Sequence, residues 1–339
     1  MPEGLAFIVD HNLRPKSADE AAQAAKIATA LGHEPQILPL SWSQTPTTQA
    51  HYRHARYRAL AKACARHKID QLWTGHHSDD QAETLFLRLS KGSGLMGLSG
   101  MAFAQPFGTA WLARPLLSAS RRQIEDWLRQ RKYVWITDPS NANPRYLRTH
   151  ARACLSQNPE WKPPLLDLAT RVGRLRQEAI DAAAFIPLHR PTAGLIAAPK
   201  AALEEASTAV QHEWLRACVQ WCGGQAFPAL QAHLHLLRHG KSGQRSTGGG
   251  VVMELGAEIR FAPEVRGTRN ISLADLAAKA MEQRAHEKDT GLWFPKGRNA
   301  LPFVPAEPQM ARWFAPKALD DPLSAKGRIE VLPSFPISK

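Results

Sequence analysis

Apolar and polar positions over residues 69–101 follow two successive patterns, which predict a strand and then a helix. Ile69–Thr74 is a short, mostly apolar run that Gly75 ends, as expected for a buried strand. From Asp80 onward, apolar residues recur at the i, i+3, i+4, i+7 spacing of a helix with one buried face, namely Ala82, Leu85, Phe86 and Leu89. The rest of the chain is organised around this predicted strand-to-helix turn.

The residues before this turn predict a parallel α/β arrangement. Gly4–Val9 is a continuous apolar run of the kind found in strands buried on both faces of a parallel sheet. Ser17 and Glu20 have the spacing of a capping box for an alanine-rich helix that Gly32 ends. A second strand is predicted at 35–40 and a second helix at 47–68.

The residues after the turn continue this alternation. Residues 110–112 predict the centre of a short strand, and the capping box of Ser120 and Gln123 begins an amphipathic helix. Its inward positions are predicted to be Ile124, Trp127 and Leu128. A long helix is predicted at 164–186, with apolar Leu166, Leu168, Val172, Leu175 and Ile180 and with outward-pointing Arg171, Arg174 and Arg176.

A change of composition at 187–199 predicts a linker to a second, smaller unit. That unit is predicted to contain helices over 201–222 and 229–239, a glycine-rich segment at 240–250, and strands at 251–254 and 257–261. We therefore divide the chain into a first domain at 1–152, a helical connector at 153–190, a second domain at 191–265 and a Pro- and Ala-rich region at 266–339.

Acidic and imidazole side chains cluster at the central turn. Asp80 and Glu83 would be neighbours on the first turn of the helix, beside Asp79, His76 and His77. Ligands of open parallel sheets bind outside the carboxyl ends of the strands, and a pair of carboxylates there suits a cationic ligand. The spacing of Asp80 and Glu83 fits equally well a capping box that satisfies helix amides.

Charge and composition narrow the partners of the protein. The 339 residues carry a net charge of +13, with a pI near 9.9, which favours a polyanionic partner. Nucleic acid is the leading candidate for this partner, although charge alone does not distinguish RNA from a membrane surface. The sequence has no run of about 18 apolar residues and no signal segment, so we expect a cytoplasmic protein without membrane contact. No Cys-x-x-Cys pair occurs, and Cys218 and Cys222 are expected to be buried thiols.

About thirty residues of the central stretch resemble a known signature. Gly75-His-His-x-Asp-Asp-Gln-x-Glu-Thr84, followed by Leu87-Arg-Leu-x-Lys-Gly-Ser-Gly-Leu-x-Gly-Leu-x-Gly-Met101, is similar to the tRNA(Ile)-lysidine synthase family, a bacterial branch of the N-type ATP pyrophosphatases. The resemblance implies an α/β fold: a parallel-sheet, Rossmann-like ATP pyrophosphatase domain, N-terminally incomplete here, followed by a smaller α+β substrate-binding domain. It also implies ATP-dependent ligation of L-lysine to C2 of the wobble cytidine of the CAU-anticodon tRNA(Ile).

The resemblance also assigns roles to residues. Asp80 and Glu83 would bind the lysine substrate, and His76, His77 and Asp79 would complete the catalytic site. Asp10, His11 and His77 would contact ATP, although Asp10 and His11 fit as well in a loop whose polar groups satisfy one another. The residues assigned to tRNA are Arg53, Arg56, Arg88, Lys91, Arg145, Arg148, Arg152, Lys241 and Arg245. Mg²⁺ would accompany ATP, held by phosphates and waters, and no residue is assigned as a metal ligand.

Several positions depart from the expected sequence motifs, and these departures qualify the assignments. Thr149 replaces an asparagine of the arginine-bearing motif at 138–152, and Tyr52 replaces an alanine beside Arg53. Gly240-Lys241-Ser242 lacks the first glycine of a phosphate-binding loop, where His235 stands, and is expected to be a basic turn.

A further and larger departure is that the Ser-Gly-Gly-x-Asp-Ser loop with which the family grips pyrophosphate does not occur in the 339 residues. Either the coding sequence starts upstream of Met1, which we favour, or the chain is a degenerate fragment. We expect the isolated chain to be poorly soluble or unable to hydrolyse ATP, because an interior strand of the sheet would be missing. A non-catalytic tRNA-binding remnant and another ATP-dependent tRNA modifier, such as a thiolase, are the alternatives.

Overall fold

The computed structural model describes residues 4–12, 16–42, 49–135, 147–222, 226–265, 271–286 and 329–330. The chain divides into two compact units, which are treated separately below. The first unit comprises Met1–Gly173 and Gln309–Lys339, and the second unit comprises Arg174–Pro308. Among the described residues, none of the helices combines the length and the apolar character needed to cross a bilayer.

Strands and helices alternate along the first unit and cluster by type in the second. The strands are β1 Leu5–Asp10, β2 Glu34–Pro39, β3 Gln71–Thr74, β4 Ala104–Phe107, β5 Ala110–Ala113, β6 Ile196–Pro199, β7 Arg245–Gly248, β8 Val251–Leu255, β9 Glu258–Pro263 and β10 Ile329–Glu330. The helices are α1 Ser17–Ala30, α2 Gln49–Arg66, α3 Ser78–Ser90, α4 Leu95–Leu98, α5 Arg121–Gln130, α6 Leu147–Gln157, α7 Lys162–Ala184, α8 Lys200–Glu204, α9 Thr208–Trp221, α10 Ala226–His239 and α11 Leu273–His286.

The first unit is built on a mostly parallel sheet with strand order β2-β1-β10-β3-β5-β4. Strand β1 pairs in parallel with β2 along its whole length, and β3 pairs in parallel with β5. The two-residue strand β10 lies between β1 and β3, with Glu330 in register with Phe7 on one side and Thr74 on the other. The predicted α/β fold is thus confirmed, and the carboxyl ends of β1 and β3 lie at the same edge of the sheet.

Burial explains why these segments form the sheet. Residues 6–9 of β1 are at most 1% exposed, as expected for a strand covered on both faces. Phe7 and Val9 pack with Leu60, Leu72 and Leu112 in one core cluster, whereas Ile8 packs with two alanines of α1 in another. Strand β4 was not predicted; it forms an antiparallel hairpin with β5.

The predicted helix starts were right at one position and wrong at another. Helix α5 begins with the predicted capping box, in which the Ser120 hydroxyl accepts from the Gln123 amide and the Gln123 side chain accepts from the Ser120 amide. No such box begins α1, because Ser17 is already inside the helix and Lys16 is the N-cap, without a side-chain hydrogen bond. Gly32, with φ of 82°, follows the end of α1 as predicted.

The inward positions of two predicted helices are less buried than expected. None of the residues of α5 is fully buried, so its apolar positions only partly face the core. Leu175 of α7 is 52% exposed, although its spacing had placed it with the apolar side. Of the arginines expected to point outward on α7, Arg171 and Arg174 are exposed, whereas Arg176 is partly buried.

The second unit contains an antiparallel sheet with strand order β6-β9-β8-β7. The predicted linker at 187–199 is wrong in its last part, because β6 pairs with β9 and its first three residues are fully buried. Strand β7 was also missed, and it extends the predicted hairpin of β8 and β9. Trp214 of α9 and Phe261 of β9 pack edge to face in the core of this unit.

Candidate active site

The turn between β3 and α3 is fixed by a capping box that uses a histidine. His77 is the N-cap of α3; its Nδ1 accepts from the Asp80 amide at 3.3 Å, and the Asp80 carboxylate accepts from the His77 amide at 3.1 Å. An accepting Nδ1 places the ring proton on Nε2, which lies 3.4 Å from the Asp80 carboxylate. The alternative in which Asp80 and Glu83 form a capping box with each other is therefore wrong, since the capping partner of Asp80 is His77.

Glu83 is the most buried carboxylate of the predicted site, and two arginines of α6 hold it. Its side chain is 3% exposed, with Arg148 Nε 2.6 Å from Oε2 and Arg152 Nε 2.7 Å from Oε1. Arg148 also reaches Asp80, with Nη2 2.9 Å from Oδ1. Burial lowers the pKa of Arg152, but the hydrogen bond and the charge of Glu83 outweigh this effect and raise it. These contacts attach α6 to the first turns of α3.

Asp79 connects the start of α3 to two other helices. Its Oδ2 accepts a hydrogen bond of 2.8 Å from the backbone amide of Arg121, the first residue of α5. Its Oδ1 accepts a hydrogen bond of 2.7 Å from the side-chain Nζ of Lys162, the first residue of α7. Burial alone would raise the pKa of Asp79, but these two hydrogen bonds hold it below its usual value. The Ser78 amide donates to the Ala119 carbonyl beside this contact. Asp79 thus fixes the entrance of the turn.

The expected surplus of negative charge is not present at this turn. Three carboxylates, Asp79, Asp80 and Glu83, are matched by three cations, which are Arg148, Arg152 and Lys162. Sequence reasoning had placed Arg148 and Arg152 on a stripe facing tRNA, and it did not single out Lys162. The third arginine of that stripe, Arg145, lies outside the described residues.

A cavity of about 280 Å³ opens next to this network. Most of the side chains in its wall are acidic or basic; the lining residues are His77, Asp79, Glu83, Arg121, Arg122, Glu125, Arg152, Leu155, Ser156 and Lys162. Asp80 is not among them, because its carboxylate is turned to the His77 amide and to Arg148. Of the two acids predicted to bind lysine, Glu83 therefore faces the cavity and Asp80 lies behind it.

Two histidines, the half-buried His76 and the buried His11, lie at the carboxyl ends of the parallel strands. The His76 ring Nδ1 is 2.8 Å from the Thr74 hydroxyl, and burial lowers the pKa of His76 to about 3, with nearby Arg114 contributing and Asp80 opposing. His11 follows β1 and is 3% exposed; burial and the charge of Arg56 lower its pKa to about 4. Both rings are neutral at physiological pH and cannot act there as fixed cations.

The loop after β1 is shaped by its own contacts. The Asp10 carboxylate accepts from the Asn12 amide at 2.9 Å, where Asn12 has φ of 48°, and the His11 carbonyl accepts from the Trp42 indole at 2.8 Å. These bonds favour the alternative in which polar groups of this loop satisfy one another, and the predicted ATP contacts of Asp10, His11 and His77 remain predictions.

Arg53 and Arg56 make contacts within the first unit. The Arg53 guanidinium donates to the Tyr57 hydroxyl at 3.2 Å and lies 4.7 Å from the centre of its ring. Arg56 is 7% exposed, with its guanidinium 5.1 Å from the same ring. Such burial does not support a direct tRNA contact for Arg56.

The glycine-rich segment after α3 is held by two side chains of that helix. Gln81 accepts from the Met101 amide at 2.7 Å and donates to the Met101 carbonyl at 3.0 Å. Arg88 donates to the carbonyls of Gly97 and Gly100. The predicted anion contact of Arg88 therefore lacks support, whereas Lys91, just after the helix, is exposed.

The predicted residues of the second unit lie on its surface. Lys241 is exposed and starts a turn whose amide donates to Gln244, as expected for a turn and not for a phosphate loop. Arg245 is paired with Glu254 at 2.6 Å and donates to the Ile271 carbonyl. Cys218 and Cys222 are fully buried free thiols, and the described residues contain no group of His, Cys, Asp and Glu side chains suited to a metal ion.

Comparisons with known proteins identify the fold of the first unit and the proteins to which the chain is similar. Residues 3–158 match the PP-loop domain family, so the first unit contains a PP-loop domain. The chain is 33% identical to the tRNA(Ile)-lysidine synthase of Ruegeria pomeroyi over 277 residues, covering 78% of this chain and 65% of that protein. It is 41% identical to the enzyme of that name from Rhodopseudomonas palustris over 150 residues (44% of this chain, 43% of the relative) and 33% identical to that of Rhizobium meliloti over 267 residues (74% and 58%).

The chain contains a PP-loop domain and is similar to tRNA(Ile)-lysidine synthases, as the resemblance of the central stretch implied. It spans between 43% and 65% of the length of these three relatives. A solved structure, the U34-tRNA thiolase NcsA from Methanococcus maripaludis, superposes with a TM-score of 0.43 at 17% identity over 50% of this chain and 61% of that chain, which is too distant to bear on function.

Proposed function

We propose that this chain contributes the amino-acid site and part of the RNA grip of an ATP-dependent ligase. The ligase joins L-lysine to C2 of the wobble cytidine at position 34 of the CAU-anticodon tRNA(Ile), giving lysidine, AMP and pyrophosphate. Similarity to tRNA(Ile)-lysidine synthases, at 33% and 41% identity, supports this reaction. The net charge of +13 supports RNA as the macromolecular partner, and the cytoplasm is the proposed location of this tRNA-modifying ligase.

The proposed reaction needs two bond exchanges. The C2 oxygen of cytidine attacks the α-phosphorus of ATP, and pyrophosphate leaves with the electrons of the broken P–O bond. The lysine ε-ammonium loses one proton to water, and the resulting neutral ε-amine attacks C2. AMP leaves with the oxygen and the electrons of the broken C–O bond, and the nitrogen gives up a second proton to water. Because the phosphorylated oxygen is a far better leaving group than a carbonyl oxygen, most of the remaining task is to position the amine.

Only part of an ATP site fits the residues of this chain. Asp10 and His11 lie at the carboxyl end of β1, at the sheet edge where nucleotides bind in this class of fold. The Ser-Gly-Gly-x-Asp-Ser sequence is absent, so no residue of the chain is assigned to the phosphates or to the Mg²⁺ that would accompany them. The steps assigned to this chain are therefore the binding and orientation of lysine and RNA.

The observation that carries the proposal is the position of Glu83. A carboxylate that is 3% exposed and still lines a cavity can bind an ammonium group out of bulk water, where charge-assisted hydrogen bonds are strongest. Asp80, on the same helical turn, accepts a hydrogen bond from Arg148 Nη2 at 2.9 Å. The cavity has a volume of about 280 Å³, and its wall also contains two cations, Arg121 and Lys162, which are paired with Glu125 and Asp79.

A calorimetric titration of L-lysine into the full chain, in the presence of an anticodon stem–loop RNA, tests this proposal. Glu83→Gln keeps the size of the side chain and removes its charge, so lysine affinity should fall at least about tenfold. The matched control is Glu213→Gln in the second unit, where Arg176 and Arg216 hold a fully buried glutamate that does not line the cavity. Equal losses in the two variants would count against a lysine site at Glu83.

A second variant separates recognition of lysine from general electrostatics. Asp80→Asn should also weaken lysine binding, because Asp80 shares Arg148 with Glu83. Norleucine, which lacks the ε-ammonium, should bind weakly to the wild type and equally weakly to both variants. If norleucine bound as tightly as lysine, the carboxylates of Asp80 and Glu83 would not recognise the ε-ammonium group.

A further inference from the structure

Arg148 and Arg152 occupy the place that a substrate ammonium would need. Both are on α6, four residues apart and hence on one face of the helix. Arg148 Nε and Arg152 Nε each lie within 2.7 Å of a Glu83 oxygen, and Arg148 also holds Asp80. While these bonds persist, the carboxylate oxygens of Glu83 and Asp80 already accept hydrogen bonds from the protein.

The two arginines are also suited to RNA phosphates. They are partly exposed, 20% for Arg148 and 34% for Arg152, whereas Glu83 is 3% exposed. A guanidinium binds phosphate through the same planar fork of donors that it uses for a carboxylate. Phosphates of a bound RNA can therefore compete with Glu83 and Asp80 for these side chains from the solvent side.

Exchange of partners would change the charge of the site. With both arginines in place, the three carboxylates of the turn face three cations. If the arginines turn to phosphates, Asp79 keeps Lys162, and Asp80 and Glu83 retain two uncompensated negative charges. A buried carboxylate without a neighbouring positive charge costs free energy, so binding of a new cation at this site is then most favourable.

We infer that Arg148 and Arg152 set the order of binding, closing the carboxylates of Asp80 and Glu83 to L-lysine until RNA phosphates draw the two arginines away. This inference rests on the proposed function, since it takes lysine and RNA as the ligands. It makes the two ligands cooperative, and linkage requires the effect to be reciprocal: RNA strengthens lysine binding by the same factor by which lysine strengthens RNA binding. Lysine would then be held firmly only when the nucleotide to be modified is present.

The test compares lysine affinity of the full chain with and without an RNA stem–loop that carries the CAU anticodon. For the wild type we expect RNA to strengthen lysine binding by about 5- to 150-fold, the usual range of coupling between two sites. The double variant Arg148→Gln/Arg152→Gln should bind lysine in the absence of RNA about as tightly as the wild type binds it with RNA. RNA should then strengthen lysine binding no further.

A gain of lysine affinity distinguishes this role from a purely structural one, because loss of a structural ion pair would only weaken binding. Arg176→Gln/Arg216→Gln, which removes the arginines of the equivalent cluster around Glu213, should leave the RNA effect on lysine unchanged. If the double variant does not fold, the single variant Arg152→Gln carries the test, with a smaller gain in RNA-free lysine affinity.

Two results would overturn the inference while the proposed function stands. One is lysine binding by the wild type that is equally tight with and without RNA. The other is a double or single arginine variant that binds lysine more weakly than the wild type in the absence of RNA. If the wild type bound no lysine under either condition and the variants bound none, the proposed function itself would fail, and the inference with it.

Discussion

Replacing Glu83 by glutamine removes one charge from a buried cluster and should destabilise the first unit. The glutamate is held by Arg148 and Arg152 at 2.6 and 2.7 Å, and a glutamine can accept at only one of its two terminal atoms. Two arginines would then face one remaining nearby acid, Asp80, instead of two. The ion-pair network that attaches α6 to α3 would lose its centre.

The size of this loss follows from how well water reaches the arginines. Removing one partner of a buried ion pair typically costs about 3–5 kcal/mol, because the other charge is left without compensation. Arg148 and Arg152 are 20% and 34% exposed and can be partly hydrated after the change. We therefore expect the low end of the range, about 3 kcal/mol.

Hydrogen exchange measured by mass spectrometry localises the effect, which a global unfolding curve of a chain with two units would not. In Glu83→Gln, amides of α3 and α6 should exchange about a hundredfold faster, the equivalent of about 3 kcal/mol, while those of α9 and α10 stay unchanged. Glu213→Gln should show the opposite distribution. Unchanged exchange in α3 and α6 of Glu83→Gln would refute the ion-pair network described here.

Three further outcomes are expected in the first unit. Because hydrogen bonds lower the folded-state pKa of Asp79, its ionised form adds stability that is complete above pH of about 4 and is lost as the pH falls through the lowered value. The deficit of Asp79→Asn in urea unfolding should therefore stay constant between pH of about 6 and 4 and shrink below pH of about 4. Burial lowers the pKa of His76 to about 3, so below pH of about 6.5 the unfolded chain binds a proton at His76 that the folded chain does not bind. The free energy of unfolding should therefore decrease, as the pH is lowered, by up to about 1.4 kcal/mol per pH unit. A slope that His76→Gln leaves unchanged would contradict this. Gly100→Ala places a Cβ 2.7 Å from the Gln81 amide group at a φ of 66°, which should cost about 1–3 kcal/mol in thermal unfolding; a loss below about 0.5 kcal/mol would show that the loop is not held as described.

Much of the first unit could be predicted from the sequence because its signals are local. Continuous apolar runs identified β1 and β3, and helical spacing identified α3, since each pattern depends only on neighbouring residues. Segments whose structure depends on distant partners were missed. Strand β6 lies in a stretch read as a linker and becomes a strand only by pairing with β9, more than fifty residues later.

The candidate site was predicted in composition but not in charge. Sequence spacing brought Asp79, Asp80 and Glu83 together correctly, because they lie on one helical turn. It could not show that Arg148 and Lys162 fold back onto these acids, since both are more than sixty residues away. Gln81 was likewise passed over, because its bonds to Met101 depend on the path of the glycine-rich segment.

The most direct measurement is a crystal structure of the chain with L-lysine and the CAU anticodon stem–loop. The account predicts the lysine ammonium about 3 Å from the Glu83 carboxylate, with Arg148 and Arg152 turned to RNA phosphates. Lysine bound away from Glu83, or lysine bound while both arginines still hold that carboxylate, would contradict it.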